Sequence, residues 1–295
     1  SFPTRRSSDL SYTFQLISIG TLFLAVASAI VGSLNLYKGQ SLIGDAIGHS
    51  SFPGIVLIFM VFQTRNPNML FVGAVLAGAL SYFLIQVAKR NSKVSLDACL
   101  AIFLSGFFGL GMVLKSIIQG NPKYQAASQS GLGNYIFGQA AYMMEKDIKL
   151  IVVVSIIVVA TFILFYKQLV VFTFDTEFSK TIGLNTRLIE GVLLFMTIGL
   201  VGIGLKAVGS ILISSFLILP CVAANQWSKK FSRVLVVASL VGGLSAILGT
   251  YFSSIYSGLS TGPTIILSMG SITIFSLLFG PYGTISKSIK LRRTR

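Results

Sequence analysis

Long apolar runs separated by short polar gaps make up almost the whole chain. A helix needs about 20 consecutive apolar residues to cross a bilayer, and backbone groups in hydrocarbon must bond within their own segment. The pattern therefore predicts an all-α polytopic membrane protein with eight or nine transmembrane helices, the division between the sixth and seventh runs being the open one. The runs lie at 15–37, 41–62, 69–88, 97–118, 148–166, 188–205, 208–226, 234–256 and 263–281.

The composition excludes a soluble domain. Of the 295 residues 54% are hydrophobic and 11% are charged, whereas soluble domains carry about 25% charged residues. The net charge of +15 is spread over short loops, so we expect membrane lipid and no nucleic acid as a partner. Cys99 and Cys221 lie in apolar runs, which favours packing over a disulfide.

The two ends of the chain are set apart from the rest. Residues 1–10, SFPTRRSSDL, resemble the translation of a sequencing-adapter oligonucleotide, so we exclude them from the fold. Residues 11–285 are expected to form one transmembrane domain. Residues 286–295 are expected to be a basic cytoplasmic tail.

The basic residues of alternate loops predict the orientation. Outside residues 1–10, one set of loops holds fifteen Lys and Arg and the opposite set holds six. The richer set is cytoplasmic by the positive-inside rule. The C-terminus is then inside, and with nine segments the N-terminus is outside.

Two stretches between the runs have features of their own. Residues 119–147 predict an external loop with a short amphipathic piece at 135–144. On the cytoplasmic side, residues 175–183 (DTEFSKTIG) predict a short helix, with Asp175 as N-cap, Glu177 in the first turn and Gly183 as the stop. Such a helix is either a surface turn or a docking piece for a partner.

The second run carries the only histidine of the chain. In GDAIGHSSFPG (44–54), Asp45 and His49 are four residues apart and therefore share one helix face. A carboxylate and an imidazole suit manganese, iron or zinc, and ionisable groups in a membrane often mark a transport path. The alternatives are a hydrogen bond within the pair, or Asp45 as a helix cap. Pro53, followed by Gly54, is a candidate hinge.

Five stretches in order resemble the metal-ion permease family of bacterial ATP-binding-cassette importers, which carry manganese, zinc or iron. Together they extend over nearly the whole chain after residue 11. They are SLIGDAIGHSSFPGIVL (41–57), YIFGQAAYMMEKDI (135–148), FDTEFSKTIGLN (174–185), LKAVGSILISSFLILPCVAA (205–224) and STGPTIILSMGSITIFSLLFGP (260–281).

The resemblance implies a multi-pass permease of the bacterial cytoplasmic (inner) membrane. It implies pairing with a second copy or a related permease, two cytoplasmic ATPase subunits, and an extracytoplasmic metal-binding protein. It also implies that Asp45 and His49 contact the transported metal transiently, with no cofactor bound permanently. The stretch at 174–185 resembles the coupling helix that docks on the ATPase. Its residues here are Asp175, Glu177, Phe178, Lys180 and Gly183.

Two other classes of protein remain as alternatives. A secondary, ion-coupled metal transporter would need further carboxylates in the membrane. An intramembrane enzyme lacks a catalytic set here, and the sequence has no G-x-x-x-x-G-K-[ST] phosphate loop.

Glu190 is expected to pair with Arg187 on one helix face. The absence of a further evident His or Cys ligand favours manganese or iron over zinc.

Overall fold

The computed structural model describes residues 7–64, 66–121, 124, 143, 145–256 and 259–286. Nearly all of the amphipathic piece at 135–144 and all of the basic tail after Ser286 lie outside these residues. The described part forms the following helices: α1 (Ser7–Tyr37), α2 (Ile43–Phe62), α3 (Pro67–Asn91), α4 (Leu96–Gly120), α5 (Glu145–Leu164), α6 (Tyr166–Phe174), α7 (Thr176–Thr181), α8 (Thr186–Ala224), α9 (Phe231–Ile255) and α10 (Thr261–Phe279).

The described helices confirm the predicted all-α, polytopic membrane architecture. Eight helical segments are long and apolar enough to cross a membrane by length and composition. Their bounds follow the apolar runs closely, as in α2, which covers Ile43–Phe62 where the run covers 41–62. Side-chain caps fix several starts: Ser95 accepts from the backbone N–H of Ala98, and Asp97 lies in the first turn of α4.

Helix α8 is bent back on itself and forms two arms. Gly209 has φ 82° and ψ 167°, which is not helical, and only glycine adopts this conformation without strain. The first arm, α8a, is Thr186–Leu205, and the shorter second arm, α8b, is Val208–Ala224. Gly204 lies directly against Ile213, since a Cβ on Gly204 would come within 2.7 Å of that side chain. The two arms therefore pack side by side.

The outer ends of both arms lie at one end of the bundle. Glu190, near the start of α8a, contacts Tyr82 of α3, and Asn225, which follows α8b, contacts Tyr37 at the end of α1. Short links make α2 antiparallel to both α1 and α3, so α1 and α3 end on the same side. The chain thus both enters and leaves α8 at this end. We call it the α7 end, because α7 lies beside it.

Small residues let the helices approach closely. A Cβ on Gly54 of α2 would lie 2.1 Å from the backbone oxygen of Gly73 in α3, and one on Gly32 of α1 would lie 1.9 Å from that of Leu217 in α8b. Such contacts are typical of membrane bundles, where packing replaces the hydrophobic effect between helices. Helix α8 packs against α1, α2, α3, α5, α9 and α10, so it occupies the centre.

Candidate functional site

Asp45 and His49 lie on neighbouring turns near the start of α2, at the α7 end of the bundle. The His49 Nε2 atom is 3.5 Å from the Asp45 Oδ1 atom. The Asp45 side chain is 37% exposed and that of His49 is 20% exposed. The helical spacing thus brings the two groups together, and both remain partly accessible.

Ser214 of α8b supplies a third polar group. Its hydroxyl lies 3.1 Å from Asp45 Oδ1 and can donate to it, or it can donate to the backbone oxygen of Ser210 at 3.0 Å. Behind this contact, a Cβ on Gly48 would lie 3.8 Å from that of Ser210, so α2 and α8b pack closely here. Sequence reasoning missed Ser214, because nothing local links it to a residue 169 positions earlier.

An aromatic ring from α4 holds the imidazole on its other side. The rings of His49 and Phe108 are 5.0 Å apart with an interplanar angle of 84°, and Phe108 also lies 6.1 Å from Phe52. Edge-to-face contacts of this kind orient both rings. Phe108 was also absent from the sequence prediction, since an isolated phenylalanine in an apolar run gives no signal.

The ligand set from this chain is small. Among the described residues, no group of three or more His, Cys, Asp and Glu side chains could hold a metal ion. Asp45 and His49 therefore offer one carboxylate and one imidazole, with the Ser214 hydroxyl beside them. Such a set is suited to brief contact with a cation and not to tight retention.

The segment that follows the pair remains helical. Helix α2 continues through Pro53, and both Pro53 and Gly54 are buried. Gly54 permits the close contact with Gly73 described above, which gives it a packing role. The hinge at Pro53 and Gly54 stays a prediction.

A second carboxylate, that of Glu190, lies in α8a at the same end of the bundle. It accepts hydrogen bonds from Tyr82 Oη at 2.9 Å and from Gln86 Nε2 at 3.1 Å. The expected pairing with Arg187 is wrong, since these two described residues form no ion pair. The reason is that α3 packs beside α8a and presents neutral donors to the carboxylate.

Both described cysteines, Cys99 and Cys221, are buried free thiols.

Helix α7 forms within the stretch predicted to be a short helix. The Asp175 carboxylate accepts from the backbone N–H of Phe178 at 2.8 Å, and Glu177 and Lys180 form an exposed pair at 2.7 Å. Gly183 has φ +81°, and Leu184 N–H donates to the oxygen of Ser179 at 3.0 Å. This is a Schellman motif, which ends the helix at the predicted glycine.

Helix α7 and the turn after it present apolar side chains outward. Phe178 is 53% exposed and Ile182 is 50% exposed. Ser179 is fully buried and anchors the helix through its hydroxyl, which donates to the backbone oxygen of Asp175. Ile182 was not among the predicted residues. An exposed apolar pair beside a surface helix is typical of a docking site.

Comparison with known proteins agrees with this architecture. The model of the ABC 3 transport family matches residues 11–280. The chain is 39% identical to the manganese transport system membrane protein MntC of Bacillus subtilis, over 95% of this chain and 64% of that protein. It is 36% identical to the zinc transport system membrane protein TroC of Treponema pallidum, over 92% and 90%. The structure of PsaBC from Streptococcus pneumoniae in complex with Fab superposes with a TM-score of 0.81, at 25% identity, over 94% of each chain.

Proposed function

The chain belongs to the ABC 3 transport family, and we propose that it is the permease subunit of an ATP-driven importer for a divalent transition metal. The names of its relatives, which are manganese and zinc transport proteins, support manganese or zinc as the substrate, and iron stays a prediction. The observation that carries the proposal is the Asp45–His49 pair, partly exposed within a helix that can cross the membrane.

The chemistry of the pair suits a transport step. A divalent ion that sheds water needs replacement ligands in the membrane, and carboxylate and imidazole serve manganese, iron and zinc alike. Asp45 contributes negative charge, while His49 contributes a neutral nitrogen that binds only when it is unprotonated. Because two ligands hold an ion weakly, the ion can leave again toward the cytoplasm.

The remaining ligands come from outside this set. Water, backbone oxygens, or the equivalent pair of a second permease chain can complete the coordination. A second copy or a related permease would place its own pair across a shared path. The chain would then work as a homodimer or a heterodimer in the bacterial cytoplasmic membrane.

The α7 end is the side on which we place the ATPase. The loop charges favour a cytoplasmic location for it, and Phe178 and Ile182 provide exposed apolar contacts. Asp175 and Gly183 define the start and end of α7, while Glu177 and Lys180 present charges. An extracytoplasmic binding protein would deliver the metal at the opposite end.

Reconstitution tests the proposal directly. Liposomes that contain the chain, its ATPase and its binding protein should accumulate radioactive manganese or zinc only when ATP is supplied on the side of the membrane where the ATPase is bound. A secondary, ion-coupled transporter is the alternative. Uptake that persists without ATP and follows an imposed ion gradient would replace the importer by that alternative.

A docking test separates the role of α7 from that of the metal pair. Phe178→Ser should abolish co-purification of the ATPase. Trp227 is a matched control, because it is 43% exposed in the link between α8 and α9 at the same end. Trp227→Ser should leave co-purification intact; equal loss in both variants would count against docking on α7.

A further inference from the structure

Three aromatic rings meet at the α7 end of the bundle. Tyr37 is the last residue of α1, Phe174 the last of α6 and Phe231 the first of α9. The ring centroids lie 5.3 Å apart for Tyr37–Phe174, 5.2 Å for Tyr37–Phe231 and 5.2 Å for Phe174–Phe231. Each ring therefore contacts the other two, and two of the three contacts are edge-to-face. We call this group the aromatic junction.

A hydrogen bond ties a fourth helix to the aromatic junction. Tyr37 Oη donates to the Asn225 side-chain oxygen at 2.6 Å, and Asn225 is the C-cap of α8. The ends of α1, α6, α8 and α9 are thus held together in one place. None of these contacts has a part in binding metal or in the exposed face of α7.

One side of the aromatic junction leads to α7. Phe174 is followed directly by Asp175, which caps the end of α6 and the start of α7. Lys38, the neighbour of Tyr37, places its Nζ atom 3.7 Å from the ring centroid of Phe172, also in α6. A displacement of α7 by a docked partner must therefore move the end of α6 against Tyr37.

The other side leads to Asp45 by a short, fixed path. Gly39 has φ +73°, Gly39 N–H donates to the oxygen of Leu36, and Gln40 N–H donates to that of Asn35 at 2.8 Å. This Schellman motif makes the turn between α1 and α2 rigid. Asp45 lies in the first turn of α2, only eight residues after Tyr37.

The partner of Asp45 is attached to the same place. Helix α8b runs from Ser214, which contacts Asp45 Oδ1 at 3.1 Å, down to Asn225 at the aromatic junction. Ser214 therefore lies on the arm whose end is hydrogen-bonded to Tyr37, and Asp45 lies on the helix that follows Tyr37 after a short turn. A movement of Tyr37 relative to Asn225 would change how far Ser214 lies from Asp45.

We propose that Tyr37, Phe174 and Phe231 are positioning residues that transmit displacement of α7 to the Asp45–Ser214 contact and so couple ATP hydrolysis to metal release. This inference rests on the proposed function, because it takes α7 as the docking helix of the ATPase. It adds the route by which that helix acts on the metal pair.

The test is the number of metal ions transported per ATP hydrolysed in the reconstituted complex. Phe174→Ala and Phe231→Ala should lower this ratio by a factor of about 2 to 30, the range for residues that modulate coupling between sites. In Phe231→Ala, which lies outside the docking stretch 174–185, ATPase co-purification and the ATPase rate stimulated by the binding protein should stay near those of the wild type. Phe231→Tyr keeps a ring and should restore the ratio, whereas Phe231→Leu should not.

A phenylalanine outside the aromatic junction serves as the matched control for the transport ratio. Phe279, at the end of α10, pairs with Phe275 at 4.9 Å and contacts no ring of the aromatic junction, so Phe279→Ala should leave the ratio unchanged. Uptake and ATPase activity that fall in parallel in the Phe231 variant would overturn the route alone. Wild-type uptake without any need for ATP would overturn the proposed function and the route together.

Discussion

Two carboxylates at the α7 end of the bundle have opposite surroundings. Glu190 accepts from Tyr82 and Gln86, and the three side chains lie where α3 packs on α8a. Asp45 has one hydroxyl at 3.1 Å and one imidazole at 3.5 Å, and 37% of its side chain is exposed. Protein donors therefore stabilise Glu190 where it is, while Asp45 keeps room for an incoming cation.

The difference shows why an acidic residue in a membrane helix is not by itself a transport site. A carboxylate removed from water is stabilised by pairing or hydrogen bonds, and the half-buried Glu190 receives them from neutral donors on a neighbouring helix. Asn35 and Lys38 lie beside the same group, and Asn35 donates to Thr197 at 3.0 Å. We interpret the Glu190 group as a hydrogen-bonded contact that holds α3 and α8a together, and the Asp45 group as the place where the cation binds.

The largest expected effect comes from removing the metal pair. Asp45→Asn and His49→Ala should each reduce metal uptake to the background of empty liposomes, because one ligand cannot replace the ion's lost water. Glu190→Gln is the matched control, since it also removes one carboxylate charge at the same end. It should retain most of the uptake per folded molecule, measured with radioactive manganese; loss of uptake in all three variants would erase the distinction.

The second effect is on stability and has the opposite pattern. Glu190→Ala leaves the Tyr82 hydroxyl without its acceptor and the Gln86 amide with only the Tyr82 oxygen, which should cost about 1–3 kcal/mol. Asp45→Ala should cost less, because Asp45 is partly exposed and has a single hydroxyl donor. Thermal unfolding of the purified protein in detergent measures both. A larger loss for Asp45→Ala than for Glu190→Ala would contradict our interpretation of the two groups.

A smaller effect tests the hydroxyl beside Asp45. Ser214→Ala removes one donor to a carboxylate and should lower uptake roughly 2- to 10-fold, as expected for about 0.5–1.5 kcal/mol. Ser215 is a close control, because its hydroxyl donates only to the Ile211 backbone oxygen, at 2.8 Å. Ser215→Ala should transport like the wild type. Equal uptake by both variants would remove Ser214 from the site.

Local patterns in the sequence predicted most of the fold and the Asp45 group, but they did not predict the Glu190 group. Apolar runs set the helix positions, the four-residue spacing placed Asp45 beside His49, and Asp175 and Gly183 bound α7. Each of these depends on residues within one or two turns of each other.

The contacts that were not predicted are long-range. Ser214 and Phe108 contact the metal pair from other helices. Glu190 accepts a hydrogen bond from Tyr82, 108 positions earlier, and forms no ion pair with nearby Arg187. Only helix packing decides such contacts, and the pattern of one run carries no information about its neighbours in space.

The smallest effect concerns Lys38, which lies in the α1–α2 turn beside the Glu190 group. Burial lowers the pKa of Lys38 to about 8, and the charge of Lys89 lowers it further, while Glu190 opposes the shift. Because the folded pKa lies below the ordinary value of 10.5, the unfolded chain binds more protons between pH 8 and pH 10.5. Stability should therefore rise with pH across this window and be independent of Lys38 titration below it.

The comparison of melting temperatures at pH 8, 9 and 10 isolates this contribution. Lys38→Met lacks the titrating amine, so the difference between wild type and variant should grow in favour of the wild type as pH rises, by a few degrees at most. Glu190→Gln should steepen the rise, because without the carboxylate the pKa of Lys38 falls further. An unchanged slope in Glu190→Gln would mean that Glu190 serves only its Tyr82 and Gln86 donors, and that the charge of Lys38 is compensated elsewhere.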